Sequence, residues 1–151
     1  MTTITSAYPS EFPYYEEIQV RYADLDTLQH VNNVAILEYV EHARTGYYRA
    51  SGIWDGTIRE GFGMVVASIK IDYLVSIQYG DRVRVGIKVA HLGNKSLRFR
   101  FQVENCQKEE VFARGEVVMV SYNQADERSQ PILYKWREKL AAFENNQELL
   151  A

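Results

Sequence analysis

Between Arg21 and Asn33 the chain sets Asp24, Asp26, His30, Asn32 and Asn33 into one short polar stretch. Carboxylates, an imidazole and carboxamides are the groups that move protons, orient water and hold a carbonyl, so this is where acid–base or nucleophilic chemistry would sit. Polar density of this kind at a junction between elements is a common mark of a functional loop. Each residue also has a structural use. Asp26 or Asn32 can cap a following helix, and the others can be solvated turn. In an extended segment residues two apart share a face, so Asp24 and Asp26 can line one pocket, whereas a bend at Leu25 would part them.

Other chemistries fail on spacing or supply. The histidines are His30, His42 and His91, with no pair three or four apart, and Cys106 is the lone cysteine, so no metal site is expected and no cofactor is implied. A Cys106–His91 couple would lack an orienting partner, Gly61-Phe62-Gly63 is too short for a phosphate loop, and Asp24-Leu25-Asp26 as a metal motif would need a nucleotide-binding α/β sheet. A net charge of −3 argues against a nucleic-acid partner. Met1–Ser10 has neither a basic nor an apolar leader region, and no apolar run approaches the roughly 18 residues of a membrane span, so a soluble, unprocessed protein with no membrane insertion is expected. With no possible internal disulfide, a reducing cytoplasm fits best.

The elements that must position the polar stretch follow from periodicity. At 151 residues the chain fits one domain, spanning 1–151. Tyr14 to Tyr22 alternates Ile18, Val20 and Tyr22 with Glu17, Gln19 and Arg21, the period of a half-buried strand. From Asn33 to Ala50, Ile36, Tyr39, Val40, Ala43 and Tyr47 recur at helical spacing, with Glu38, His42 and Arg49 on the far side, and Ser51-Gly52 should end the helix. Met64–Tyr79, Asp81–His91, Ser96–Cys106 and Val111–Tyr122 read as strands separated by short polar breaks, predicting a meander of four antiparallel strands. Tyr134–Asn145 returns to helical spacing. The long helix can bury its stripe only against the sheet, and the sheet's uncovered face and edges favour pairing with a second copy.

Asp24-Leu-Asp26-Thr-Leu-Gln29-His30-Val-Asn32-Asn33 followed by Tyr39-Val-Glu41-His-Ala43-Arg44 resembles the hot-dog fold thioesterases of the 4-hydroxybenzoyl-CoA thioesterase-like superfamily. The likeness continues through Ile71-Asp72-Tyr73, Gly80-Asp81 and Leu92-Gly93-Asn94-Lys95-Ser96. Gln29 stands where many members carry glycine, as it does in the long-chain acyl-CoA thioesterase branch, and Ile36 stands where many carry tyrosine. The resemblance implies an α+β hot-dog fold, a long antiparallel sheet wrapped around a central helix with a C-terminal helix. It implies an acyl-CoA substrate, hydrolysed to free acid and CoA in a homodimer or homotetramer.

The resemblance also makes Asp26 the catalytic carboxylate, as general base or nucleophile; Asp24, weighed by itself, is expected to be a structural residue. A thiolate leaving group, with a pKa near that of free cysteine at ~8.5, departs with less need of a general acid than an amine does. Oxyanion donors are expected among the backbone amides from Val31 to Val34. His30 and Asn32 either orient the carbonyl or water, or tie the loop to its own backbone. Glu41 can reach the cleft or be an ordinary exposed helix residue. Lys88, Lys95, Arg98 and Arg100, with the hairpin residue Ser96, are candidates to meet the CoA phosphates or to be solvated strand residues. Tyr73, with Phe62, Val65 and Val66, can line an acyl tunnel or pack the core. The alternatives to hydrolysis are a hydratase or dehydratase of acyl thioesters on the same fold, using His30 and Glu41, or a non-catalytic acyl-CoA-binding module.

Overall fold

The computed structural model describes residues 11–54 and 63–151. Its strands are β1 (Tyr14–Ile18), β2 (Met64–Tyr73), β3 (Val83–Leu92), β4 (Ser96–Asn105), β5 (Val111–Asn123) and the two-residue β6 (Arg128–Ser129); its α-helices are α1 (Asn33–Ser51) and α2 (Tyr134–Glu144). The sheet runs β1-β3-β4-β5-β2, all neighbours antiparallel, with β6 beside β5.

Alternation along β3 and β4 turns Val83, Val85, Ile87, Val89, Leu97, Phe99, Phe101 and Val103 to the inner face, where all are buried. Against them lies the α1 stripe Ile36, Tyr39, Val40, Ala43 and Tyr47, also buried. Tyr47 meets Phe99 and Phe143 edge to face, so α1 is pinned both to the sheet and to α2. The result is the expected α+β arrangement, a sheet curved around a central helix with a second helix at the C-terminus. Gly52, at φ 83°, takes the left-handed position that ends α1.

Three expectations need correcting. The four long strands are not one meander: β3, β4 and β5 follow one another, but β2 crosses to the far edge and pairs with β5, while β1 takes the place beside β3. The segment expected to run to Tyr79 leaves the sheet after Tyr73, where the amides of Leu74 and Val75 both donate to the Phe112 carbonyl at 2.8 and 3.1 Å and turn the chain away. The first strand stops at Ile18, and Tyr22–Asp24 forms a single 3-10 turn, which leaves Tyr22 79% exposed instead of core-facing.

Candidate active site

The turn from Asp24 to Asn32 is closed by its own backbone. Asp26 N–H donates to the His30 carbonyl at 2.8 Å, Gln29 N–H to the Asp26 carbonyl at 3.0 Å, and Asn32 N–H to the Asp24 carbonyl at 2.8 Å. Val31 N–H donates to Ile77 O at 2.9 Å, which ties the turn to the segment entering β3. Gln29 sits at φ 62°. That is the left-handed region where glycine costs least, which accounts physically for the glycine common at this place in the motif.

The two carboxylates part because Asp24 closes the 3-10 turn Tyr22–Asp24; Leu25 itself is extended (φ −80°, ψ 146°) and bridges to Val31, so the bend lies before it and not at it. Asp24 is 4% exposed and accepts from Tyr39 Oη at 2.6 Å and from Arg21 through its backbone N (3.0 Å), Nε (3.2 Å) and Nη2 (2.9 Å). Burial alone would raise its pKa, but these donors and the Arg21 charge outweigh burial and hold it below the usual carboxylate range. Asp24 is therefore a structural anion that fastens the turn to α1. Asp26 is half-buried and points elsewhere: its Oδ1 accepts from the amides of Leu28 (2.9 Å) and His30 (3.3 Å), and its Oδ2 has no partner among the described residues. One oxygen is held and the other is available.

Asn32 is the N-cap of α1, its Oδ1 accepting from Val34 N–H at 2.9 Å. Of the four amides expected to serve a developing oxyanion, those of Val31, Asn32 and Val34 are thus already engaged. The Asn33 amide, with that of Ala35, is left without a partner among the described residues. His30 contributes its backbone to the turn and bridges to Gln78, and its half-buried imidazole has no hydrogen bond among the described residues. Tyr73 donates to the Asn33 carbonyl at 3.3 Å, so the end of β2 meets the start of α1. Val34 and Tyr73, 57% and 45% exposed, form an open apolar flank there.

The remaining candidates fall elsewhere. Ser96 pairs with Val120, whereas Tyr73 pairs with Ala113 and through it lies level with Val103. Seven residues of β4 separate those rows, about 24 Å at ~3.4 Å per residue. Lys95, Ser96 and Arg98 therefore stand at the opposite end of the same chain's sheet from Asp26. Arg98, Arg100 and Lys88 project from the outer face, Arg98 toward Glu116 at 3.8 Å. Val65 also faces outward, in register with Val120, while Val66 lies on the inner face and Phe62 is outside the described residues. Glu41 is exposed. Cys106 and His91 sit at opposite ends of the sheet, and burial pushes the thiol up to about 11. No three His, Cys, Asp or Glu come together as a metal-holding group among the described residues. No described helix is long and apolar enough to cross a membrane.

A long antiparallel sheet wrapped around a central helix, with a second helix at the C-terminus, is the hot-dog fold of the thioesterases. The chain belongs to the thioesterase-like superfamily, whose family model matches residues 20–143. It is similar to a thioesterase from Thermus thermophilus whose crystal structure is complexed with coenzyme A and Zn, at 37% identity and a TM-score of 0.78 over 89% of this chain and 97% of that one. A predicted thioesterase from Bacillus stearothermophilus superposes with a TM-score of 0.78 at 25% identity, over 86% of this chain and 95% of the other. The uncharacterized protein YsmA of Bacillus subtilis (strain 168) is 29% identical over 113 residues, 75% of each chain.

Proposed function

We propose that the chain hydrolyses acyl-CoA thioesters to free carboxylic acid and CoA, with Asp26 as general base or nucleophile. The carrying observation is the Asp26 carboxylate, one oxygen fixed by two amides and the other open, beside the start of α1. As a base, Oδ2 takes a proton from water as the water oxygen attacks the thioester carbonyl. As a nucleophile, Oδ2 attacks directly, giving an acyl anhydride that water then opens. In either route the oxyanion meets the Asn33 amide and the positive end of the α1 dipole. Collapse breaks the C–S bond and releases CoA thiolate, which needs no strong acid. The His30 imidazole is placed to orient water or carbonyl, and Asn32 serves by capping the helix that presents the amide. Val34 and Tyr73 receive the first part of the acyl chain. The CoA-bound relative at 37% identity supports the choice of CoA thioester, and the lone buried Cys106 supports a reducing cytoplasm.

The site is shared in this reading between two copies. Strand β2 is a free edge whose inner-face residues Val66, Ile69 and Tyr73 are 50%, 41% and 45% exposed. Antiparallel pairing of β2 with its copy places the second copy's Met64 end, and with it that copy's Lys95–Ser96 hairpin, on the side of Asp26. Lys95, Ser96 and Arg98 then act on the nucleotide end of a substrate bound by the other copy.

CoA release from a panel of short, long and aromatic acyl-CoAs tests the reading. Wild-type turnover is expected to fall at least 100-fold in both Asp26→Ala and Asp26→Asn. Wild-type rates in both variants would remove Asp26 from the mechanism, and hydration of crotonyl-CoA without CoA release would identify a hydratase instead. Incorporation of labelled oxygen under single turnover separates base from nucleophile.

A further inference from the structure

Arg44, in the middle of α1, is only 8% exposed. Its guanidinium is charged at any working pH, and buried arginines are almost always paired. Among the described residues its side chain has neither a hydrogen bond nor an ion pair, though its charge acts on Tyr48; its nitrogens keep a small solvent contact, so the guanidinium ends at the surface of the single chain. Glu41, one turn earlier, is exposed and equally unpaired among those residues. A largely buried charge that ends at the surface beside an unused carboxylate of the same helix points to a counter-charge from outside the described residues.

The geometry says from where. His42 and Gly46 turn toward β1, where His42 Nε2 lies 3.0 Å from Glu16 and the Gly46 Cα lies beneath the Tyr14 hydroxyl. Glu41, Arg44 and Tyr48 occupy the other flank of the buried stripe, away from β1; Tyr48 meets Phe99 of β4 there, and in the sheet order β5 and then β2, whose inner face is open, lie beyond β4 on that side. The Asn33–Tyr73 hydrogen bond fixes the relative height of helix and strand. From that tie the middle of α1, near residue 42, is about 14 Å along at ~1.5 Å per residue. The middle of β2, near residues 68 and 69, is about 15 Å along at ~3.4 Å per residue. A two-fold axis through the centre of β2 therefore passes level with the Glu41–Arg44 turn. Under such an axis the two copies of α1 run antiparallel, and what residue 41 of one meets, residue 44 of the other supplies, twice over.

We propose that Glu41 of a second copy is the missing partner of Arg44, and that the two reciprocal ion pairs lock the dimer in the register that shares the active sites. The inference rests on the dimer reading above and adds the residues that decide it. Sedimentation equilibrium across a concentration series measures the dissociation constant of wild type, E41Q, E41R and R44E. Because Glu41 is exposed in the single chain, E41Q and E41R are expected to keep their folded circular-dichroism spectrum. A desolvated charge pair that loses one partner should weaken the dimer at least 30-fold in E41Q, and further in E41R, where like charges meet. Mixing E41R with R44E makes both crossed pairs complementary again, so a heterodimer should form from two variants that dimerise poorly alone. A monomeric wild type at every concentration overturns the dimer reading itself. A dimeric wild type with unchanged dissociation constants in E41Q and E41R overturns the Glu41–Arg44 pairing and leaves the dimer standing. Folded E41R and R44E that stay monomeric when mixed also overturn the pairing.

Discussion

Removing the hydroxyl of Tyr39 isolates the anchor that separates the two aspartates. Tyr39→Phe keeps the ring in its buried place on α1 and deletes one donor, 2.6 Å from Asp24 Oδ2. That oxygen keeps the Arg21 amide at 3.0 Å, and Oδ1 keeps the Arg21 guanidinium, so the carboxylate is weakened without being orphaned. Hydrogen bonds to charged groups contribute roughly 1.5–3 kcal/mol, and the surviving donors put this loss near the lower end, about 1.5–2 kcal/mol. For a chain of this size that corresponds to a fall in Tm of roughly 3–8 °C. The pH dependence follows from the direction of the Asp24 shift. Its folded pKa is lowered, so its contribution is present above the unfolded value near ~3.9 and is lost as pH falls through the folded value. Deleting the Tyr39 donor moves the folded pKa back up toward the unfolded one. The stability gap between wild type and Tyr39→Phe should therefore be full at pH 7 and shrink as pH drops below about 4. Urea unfolding at fixed protein concentration, at neutral pH and in steps down to pH 3, measures both. A gap of unchanged size at pH 3 would show that the hydroxyl acts through packing, and no gap at pH 7 would refute the anchor.

Three further outcomes are expected. Gln29→Gly removes a left-handed strain of roughly 1–2 kcal/mol against a chain-entropy cost of about 0.5–1 kcal/mol, so the urea midpoint should hold or rise; a loss above about 1 kcal/mol would contradict this. Asn32→Ala deletes the cap on Val34 and should cost about 1 kcal/mol in urea unfolding, whereas Asn32→Asp, which keeps the acceptor, should recover most of it. Gly115→Ala would place a Cβ 1.9 Å from the Lys70 carbonyl, forcing β2 off β5 at a cost of about 1–3 kcal/mol and faster amide exchange along β2; wild-type exchange rates would disprove the close approach.

Periodicity and capping are properties of a few consecutive residues, and everything that depends on them was legible in the chain. The buried stripe of α1, its Asn32 start and Gly52 stop, and the spans of β3, β4 and β5 all follow from local chemistry. So did the motif that concentrates polar groups before α1. Whether Asp24 and Asp26 share a pocket was left open by the sequence and is decided by the 3-10 turn at Tyr22–Asp24, held by the Tyr39 and Arg21 donors. Strand order was not legible, because pairing free energy is set by whichever distant edge is open. The short break at Tyr79–Asp81 suggested a hairpin that the Phe112 carbonyl prevents by turning the chain after Tyr73. That one crossover decides which site residues meet. It brings Tyr73 to Asn33 and sends Lys95, Ser96 and Arg98 to the other end of the sheet. It also leaves β2 as a free edge beside Arg44, a buried charge whose partner no reading of the sequence alone would have sought.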